Sequence, residues 1–185
     1  MNGPLSDPER NTLLAIARGA IASRLGGPAP PARPQGGTLG EKRGVFVTLR
    51  RKADGELRGC VGFSEARFPL AEAVERAAQL AAFEDGRFPP VTAAEVDALV
   101  FDISVLSPLR PIAPDAVEVG RHGLLIRHAG RAGLLLPLVP VQFGWDREEF
   151  LEHLCGKAGL PKDAWRKQDV ELLAFTTELV EEEEG

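Results

Sequence analysis

Two runs of alternating apolar residues joined by an Asp-Gly pair constrain this chain most. Across residues 44–51, Val45, Val47 and Leu49 recur at every second position, the period of a strand with one buried face. Asp54-Gly55 follows, a dipeptide suited to the left-handed backbone of a tight hairpin turn. Residues 57–63 then return as a second strand. Strands this close in sequence pair antiparallel, and their apolar face needs other elements to cover it.

Helices that can provide that cover are legible on both sides. Ser6-Asp7-Pro8-Glu9 reads as a helix start, with Ser6 as cap, Glu9 closing a capping box and Pro8 in the first turn. Leu13, Ile16, Ala17, Ala20 and Ile21 follow at helical spacing, and Gly26-Gly27-Pro28 ends the run. Residues 70–84 give a second helix with one narrow apolar stripe through Leu70, Ala73, Val74, Ala77 and Leu80, and Gly86 stops it. Thr92 and Glu95 form another capping box, for a short helix.

Further strands come later. Leu99, Phe101, Ile103 and Val105 make one fully apolar face, with Asp102 the sole charge in that strand. Pro108 to Pro114 reads as a rigid connection, and Val117 and Val119 begin an extended segment. Residues 123–127 and 133–136 read as two strands around a turn at 128–132. Asp146 starts a helix whose buried face carries Phe150, Leu151, Leu154, Cys155 and Ala158. Residues 172–180 alternate as a closing strand. No regular βαβ rhythm is present, so the class is α+β with a mixed, largely antiparallel sheet.

With 185 residues the chain fits one domain. Residues 26–40 form a Pro/Gly-rich surface connection and 181–185 an acidic tail. The tail carries four of the carboxylates behind a net charge of −5, and no basic face for nucleic acid is evident. Asp7, Glu9 and Arg10 stand where a signal peptide needs an apolar core, and no apolar run approaches the ~20 residues that span a bilayer. A cytoplasmic protein is expected. Two cysteines are too few for a disulfide scaffold, and no metal-ligand spacing or cofactor motif appears.

Cys60 is the leading candidate for chemistry. Regular alternation places Arg58, Cys60 and Gly62 opposite Leu57, Gly59, Val61 and Phe63. A guanidinium on the cysteine's face favours a thiolate nucleophile. The competing reading is a small buried hydrophobe. Gly59 and Gly62 allow close approach of a ligand or of another backbone. Arg87 is placed to hold an anion or cap the preceding helix, and His122 to act as a base or merely to occupy a turn. Trp145 precedes a helix start. Cys155 reads as core.

These blocks occur in an order that resembles one family. Leu57-Arg58-Gly59-Cys60-Val61-Gly62 is similar to the signature of the AMMECR family. Asp85-Gly86-Arg87-Phe88-Pro89-Pro90, Ile103-Ser104-Val105-Leu106, Val119 to Leu124, Gly133 to Pro137 and Val139 to Asp146 follow at the family's spacing. The later blocks are closest to the prokaryotic branch, AmmeMemoRadiSam system protein A. The resemblance implies a compact α/β unit of two subdomains, the larger shared by the N- and C-terminal segments. It implies association with a Memo-like protein and a radical-SAM protein. It draws attention to Arg58, Cys60, Arg87 and Trp145. From both lines of reading, the chain is expected to bind a protein partner or small ligand around residues 57–62. The alternative is a thiol-dependent enzyme or redox component using Cys60.

Overall fold

The computed structural model describes residues 4–182. The chain divides into two compact units. The first holds the N-terminal segment through Leu106 together with the chain from Glu178 onward, and the second holds Ser107–Thr177.

In the first unit, helix α1 (Asp7–Arg24) begins as expected: the Glu9 carboxylate accepts from both the backbone N–H and the hydroxyl of Ser6, at 2.8 and 2.7 Å. It ends at Gly26, whose φ of 85° lets Gly27 N–H reach back to the Ala22 carbonyl at 2.9 Å. Strands β1 (Val45–Arg51) and β2 (Leu57–Phe63) form the predicted hairpin, and helix α2 (Leu70–Phe83) follows. Strand β3 (Leu99–Leu106) pairs with β1. Strand β8 (Thr177–Glu181) completes a four-stranded sheet in the order β2-β1-β3-β8.

Helix α2 departs from the narrow stripe expected of it. Leu70, Ala71, Ala73, Val74, Ala77, Ala78, Ala81 and Ala82 are all buried, because α2 packs against α1 as well as the hairpin strands. Alanine brings both neighbours close. The core beneath includes Leu13, Ile16, Val47, Leu49, Phe101 and Ile103 at 0 % exposure. Full burial of a side chain such as Phe101 contributes about 1.5–3 kcal/mol. The 26–40 connection lies on these helices, with Arg33 between the carboxylates of Glu72 and Glu75 at 3.5 and 3.2 Å.

The second unit has strands β4 (Arg110–Pro111), β5 (Gly123–His128), β6 (Arg131–Leu135) and β7 (Glu171–Phe175) in the order β4-β7-β5-β6. Helix α3 (Leu138–Phe143) and helix α4 (Arg147–Lys157) complete it. The α4 cap is reciprocal, Asp146 and Glu149 each accepting the other's N–H at 2.9 Å. Phe150, Leu151, Leu154 and Cys155 fill the core against β5 and β7. Gly156, in the last turn of α4, has open space where a Cβ would stand. Gly156→Ala is therefore expected to stabilise the protein by about 0.5–1 kcal/mol, a rise of a few degrees in melting temperature.

The α+β class stands, with the strands divided between two antiparallel sheets. Two local expectations give way, and one helix is added. Residues 172–180 are not one strand: they break at Thr176, whose N–H and C=O are both taken by Ser107, at 2.8 Å each. β7 and β8 thereby join different sheets. The segment at Val117 and Val119 is a turn, because the Glu118 carbonyl accepts from Arg121 and His122. Helix α3 was not anticipated. Its Pro140 sits in the first turn, where no intrahelical N–H is needed. Residues 183–185 of the acidic tail lie outside the described residues. Glu182 anchors the chain end by a two-oxygen pairing with Arg18 at 2.7–2.8 Å.

Candidate functional site

Strand β2 is an edge strand of the first sheet. The register across three strands defines its faces, since residues directly opposite share a side. Leu49, Gly59 and Phe101 form one row of the core face; Val47, Val61 and Ile103 form the next. On the other face stand Thr48, Cys60 and Asp102, with Phe46, Gly62 and Ser104 beside them.

One step of this pattern differs from simple alternation. Leu49 pairs with Gly59 but Arg50 pairs with Leu57, so Arg58 is an extra residue in a β-bulge. Leu57 thereby joins the face of Cys60, and Arg58 does not share it. Arg58 is buried, at 7 % exposure. Its guanidinium is bound to Glu95 Oε1 at 3.1 Å and to the Pro89 carbonyl at 2.8 Å. Glu95 in turn accepts from the N–H of Thr92 at 2.8 Å. These bonds hold the Glu95 carboxyl below its ordinary range, the Thr92 N–H first and Arg58 next.

Cys60 is half-buried. Both its main-chain groups point away from β1. Its N–H donates to Asp85 Oδ2 at 2.9 Å, and its carbonyl accepts from Arg87 Nη2 at 3.3 Å. Cys60 and Thr48 are therefore a non-hydrogen-bonded pair, the closer kind. The Thr48 hydroxyl accordingly reaches Cys60 Sγ at 3.2 Å. Asp85 and Arg87 also bind each other, Nε to Oδ1 at 2.9 Å and Nη2 to Oδ2 at 2.7 Å. Together they offer Cys60 one acceptor and one donor, as a neighbouring strand would. This side-chain pair closes the middle of an otherwise open sheet edge.

The electrostatics follow from that geometry. Arg87 holds the Asp85 carboxyl well below the usual carboxylate range; burial opposes this, and the N–H groups of Cys60 and Arg87 reinforce it. Asp85 is buried, whereas the Arg87 side chain is 57 % exposed. Asp102 pairs with Arg50 at 3.2 Å, and Arg51 pairs with Asp54 and Glu56. Of the basic residues Arg50, Arg51 and Lys52, Arg50 is thus paired across to β3 and Arg51 within the hairpin.

Gly59 and Gly62 are both enclosed by the chain's own backbone. A Cβ on Gly59 would lie 2.2 Å from the Ala81 carbonyl oxygen of α2. One on Gly62 would lie 2.1 Å from the Val45 carbonyl oxygen of β1.

Arg58, Gly59, Cys60, Gly62 and Arg87 therefore gather in the first unit. His122 and Trp145 belong to the second. His122 Nδ1 accepts the N–H of Glu118 at 3.0 Å, closing its turn. Trp145 stacks on His153 at 3.7 Å and on Phe143 at 4.9 Å, both near parallel. Cys155 is fully buried, and burial pushes its thiol pKa up. Sequence reasoning gave no site role to Thr48 and Asp85, and read Glu95 only as the partner of Thr92 in a capping box, which it is. The Asp-x-Arg spacing at the end of α2 was the available signal for Asp85. Among the described residues, no helix is long and apolar enough to cross a membrane.

Comparison with known proteins accounts for nearly the whole chain. The AMMECR1 family profile matches residues 14–180. Protein MK0488 of Methanopyrus kandleri is 45 % identical, covering 100 % of this chain and 93 % of its own. A protein of Thermococcus gammatolerans is 47 % identical over 92 % of this chain and 89 % of its own. The crystal structure of protein PH0010 from Pyrococcus horikoshii superposes with a TM-score of 0.84 at 43 % identity, covering 95 % of this chain and 92 % of that one. The chain belongs to the AMMECR1 family.

Proposed function

We propose that this protein is a binding module whose recognition surface is the β2 edge around Cys60, acting on a protein partner or small ligand. The observation that carries this reading is the hydrogen-bonding state of Cys60. Its sulfur receives a hydroxyl from Thr48, and the charged groups beside it, Asp85 and Arg87, meet it through its main chain. A thiol nucleophile is activated by an adjacent base. The unit that holds Cys60 contains no histidine. Arg87, though paired with Asp85, is 57 % exposed, and the side of its guanidinium turned from Asp85 suits a carboxylate on the bound molecule.

A Memo-like protein and a radical-SAM protein from the same organism are the partners this reading names. Calorimetric titration of each against wild type, Cys60→Ser and Arg87→Glu provides the test. The module reading expects binding in Cys60→Ser within about twofold of wild type and clear weakening in Arg87→Glu. Loss of binding in Cys60→Ser with an unchanged melting temperature would overturn it.

The thiol alternative draws on the partial exposure of Cys60 and the hydroxyl donated to its sulfur. It requires alkylation of Cys60 in the native fold well below about pH 8.5, the value of a free thiol. Labelling that appears only above that pH removes it.

A further inference from the structure

We propose that the surface made by α3 and the 118–122 turn docks a basic amphipathic helix of a protein partner. This inference is independent of the reading of the β2 edge, since every residue it uses lies in the Ser107–Thr177 unit.

Five large apolar side chains are exposed among the described residues, and four of them belong to α3 and the 118–122 turn. Leu138 is 56 % exposed, Val141 54 %, Phe143 66 % and Val119 38 %. Leu138 and Val141 stand one helical turn apart. Val141 packs against the turn: its Cγ2 lies 3.3 Å from where a Gly120 Cβ would be. Phe143, at the end of α3, stacks on Trp145, which stacks on His153. Clustered exposed apolar side chains, unlike singly scattered ones, are often functional.

Charge selects the occupant. Residues 115–122 and 138–153, which carry the patch, hold six carboxylates against two arginines. Arg121 is paired with Glu118 at 3.0 Å and Arg166 with Glu148, so the rim keeps a negative balance of three once Arg147 is counted. A second copy of this chain would set acidic rim against acidic rim, which costs affinity. An anionic lipid surface meets the same repulsion. An amphipathic helix with an apolar row flanked by Lys or Arg satisfies both the ridge and its rim.

The test uses the full chain and two synthetic helices of roughly five turns, one patterned from Leu and Lys and one from Leu and Glu. Calorimetry is expected to show saturable binding of the Leu/Lys helix, weaker at higher salt, and none of the Leu/Glu helix. Leu138→Asp adds a negative charge at an exposed position, so a purely electrostatic contact would strengthen. Docking on the apolar ridge instead predicts at least about tenfold weaker binding in this variant, at unchanged melting temperature. Equal binding of both helices, no binding, or full binding in Leu138→Asp would overturn the proposal. So would a wild-type dimer, seen by sedimentation, that Leu138→Asp dissociates.

Discussion

Replacing Gly59 with alanine is expected to destabilise the first unit by about 3 kcal/mol, the upper end of the usual range for overpacked cores. The added Cβ would sit 2.2 Å from the Ala81 carbonyl oxygen. The obstruction is backbone on both sides: β2 cannot move without straining its ladder to β1, and α2 is held from behind by α1. No flexible side chain is available to give way. Gly62→Ala meets the same kind of obstacle at the Val45 carbonyl oxygen. Gly86 is the internal control, since nothing lies within 4 Å of its Cβ position and its φ is ordinary. Chemical denaturation of the three alanine variants should therefore separate them sharply, with Gly86→Ala near wild type. A Gly59→Ala variant within about 1 kcal/mol of wild type would show that α2 does not press on β2 as described.

Asp85→Ala is the second large effect. It removes the acceptor for the Cys60 N–H and the anchor of Arg87 in one step. Charge-assisted hydrogen bonds of this kind contribute about 1.5–3 kcal/mol. A chain of this size should lose about 5–10 °C in melting temperature. The pH dependence has a definite sign. The folded carboxyl titrates far below its unfolded value of about 3.9. Its contribution is fully present above that value and is lost as pH falls below it towards the folded one. Between pH 6 and pH 3 the wild type should therefore lose more stability than Asp85→Asn, and the gap between them should narrow. A gap that stays constant over this interval would mean the carboxylate is not held by Arg87 in solution.

The same packing accounts for much of residues 57–62. Gly59 and Gly62 are dictated by backbone packing, and Arg58 by the loop it clamps through Pro89 and Glu95. Much of the motif secures an edge strand and its covering loop. What it leaves outward is narrow: the half-buried Cys60, the Thr48 hydroxyl and the exposed guanidinium of Arg87.

The hairpin, α1, α2, α4, β3 and the caps at Ser6 and Asp146 were legible in the sequence, because each is set by local spacing. Period two, period 3.6 and a capping residue act within a few positions of one another. The family was legible for a related reason: several short blocks recur in order. The position of Arg58 was not legible. A bulge depends on how β1 and β2 register against each other, and one extra residue reverses the side taken by Leu57. The division of 172–180 between two sheets was equally hidden, since Ser107 captures Thr176 from far away in sequence. The Asp85–Arg87 pair needed the end of α2 to be brought against the outer edge of β2. Local sequence thus determined the elements and the family. Long-range contact alone decided which groups around Cys60 remain outward and which are consumed in holding the edge.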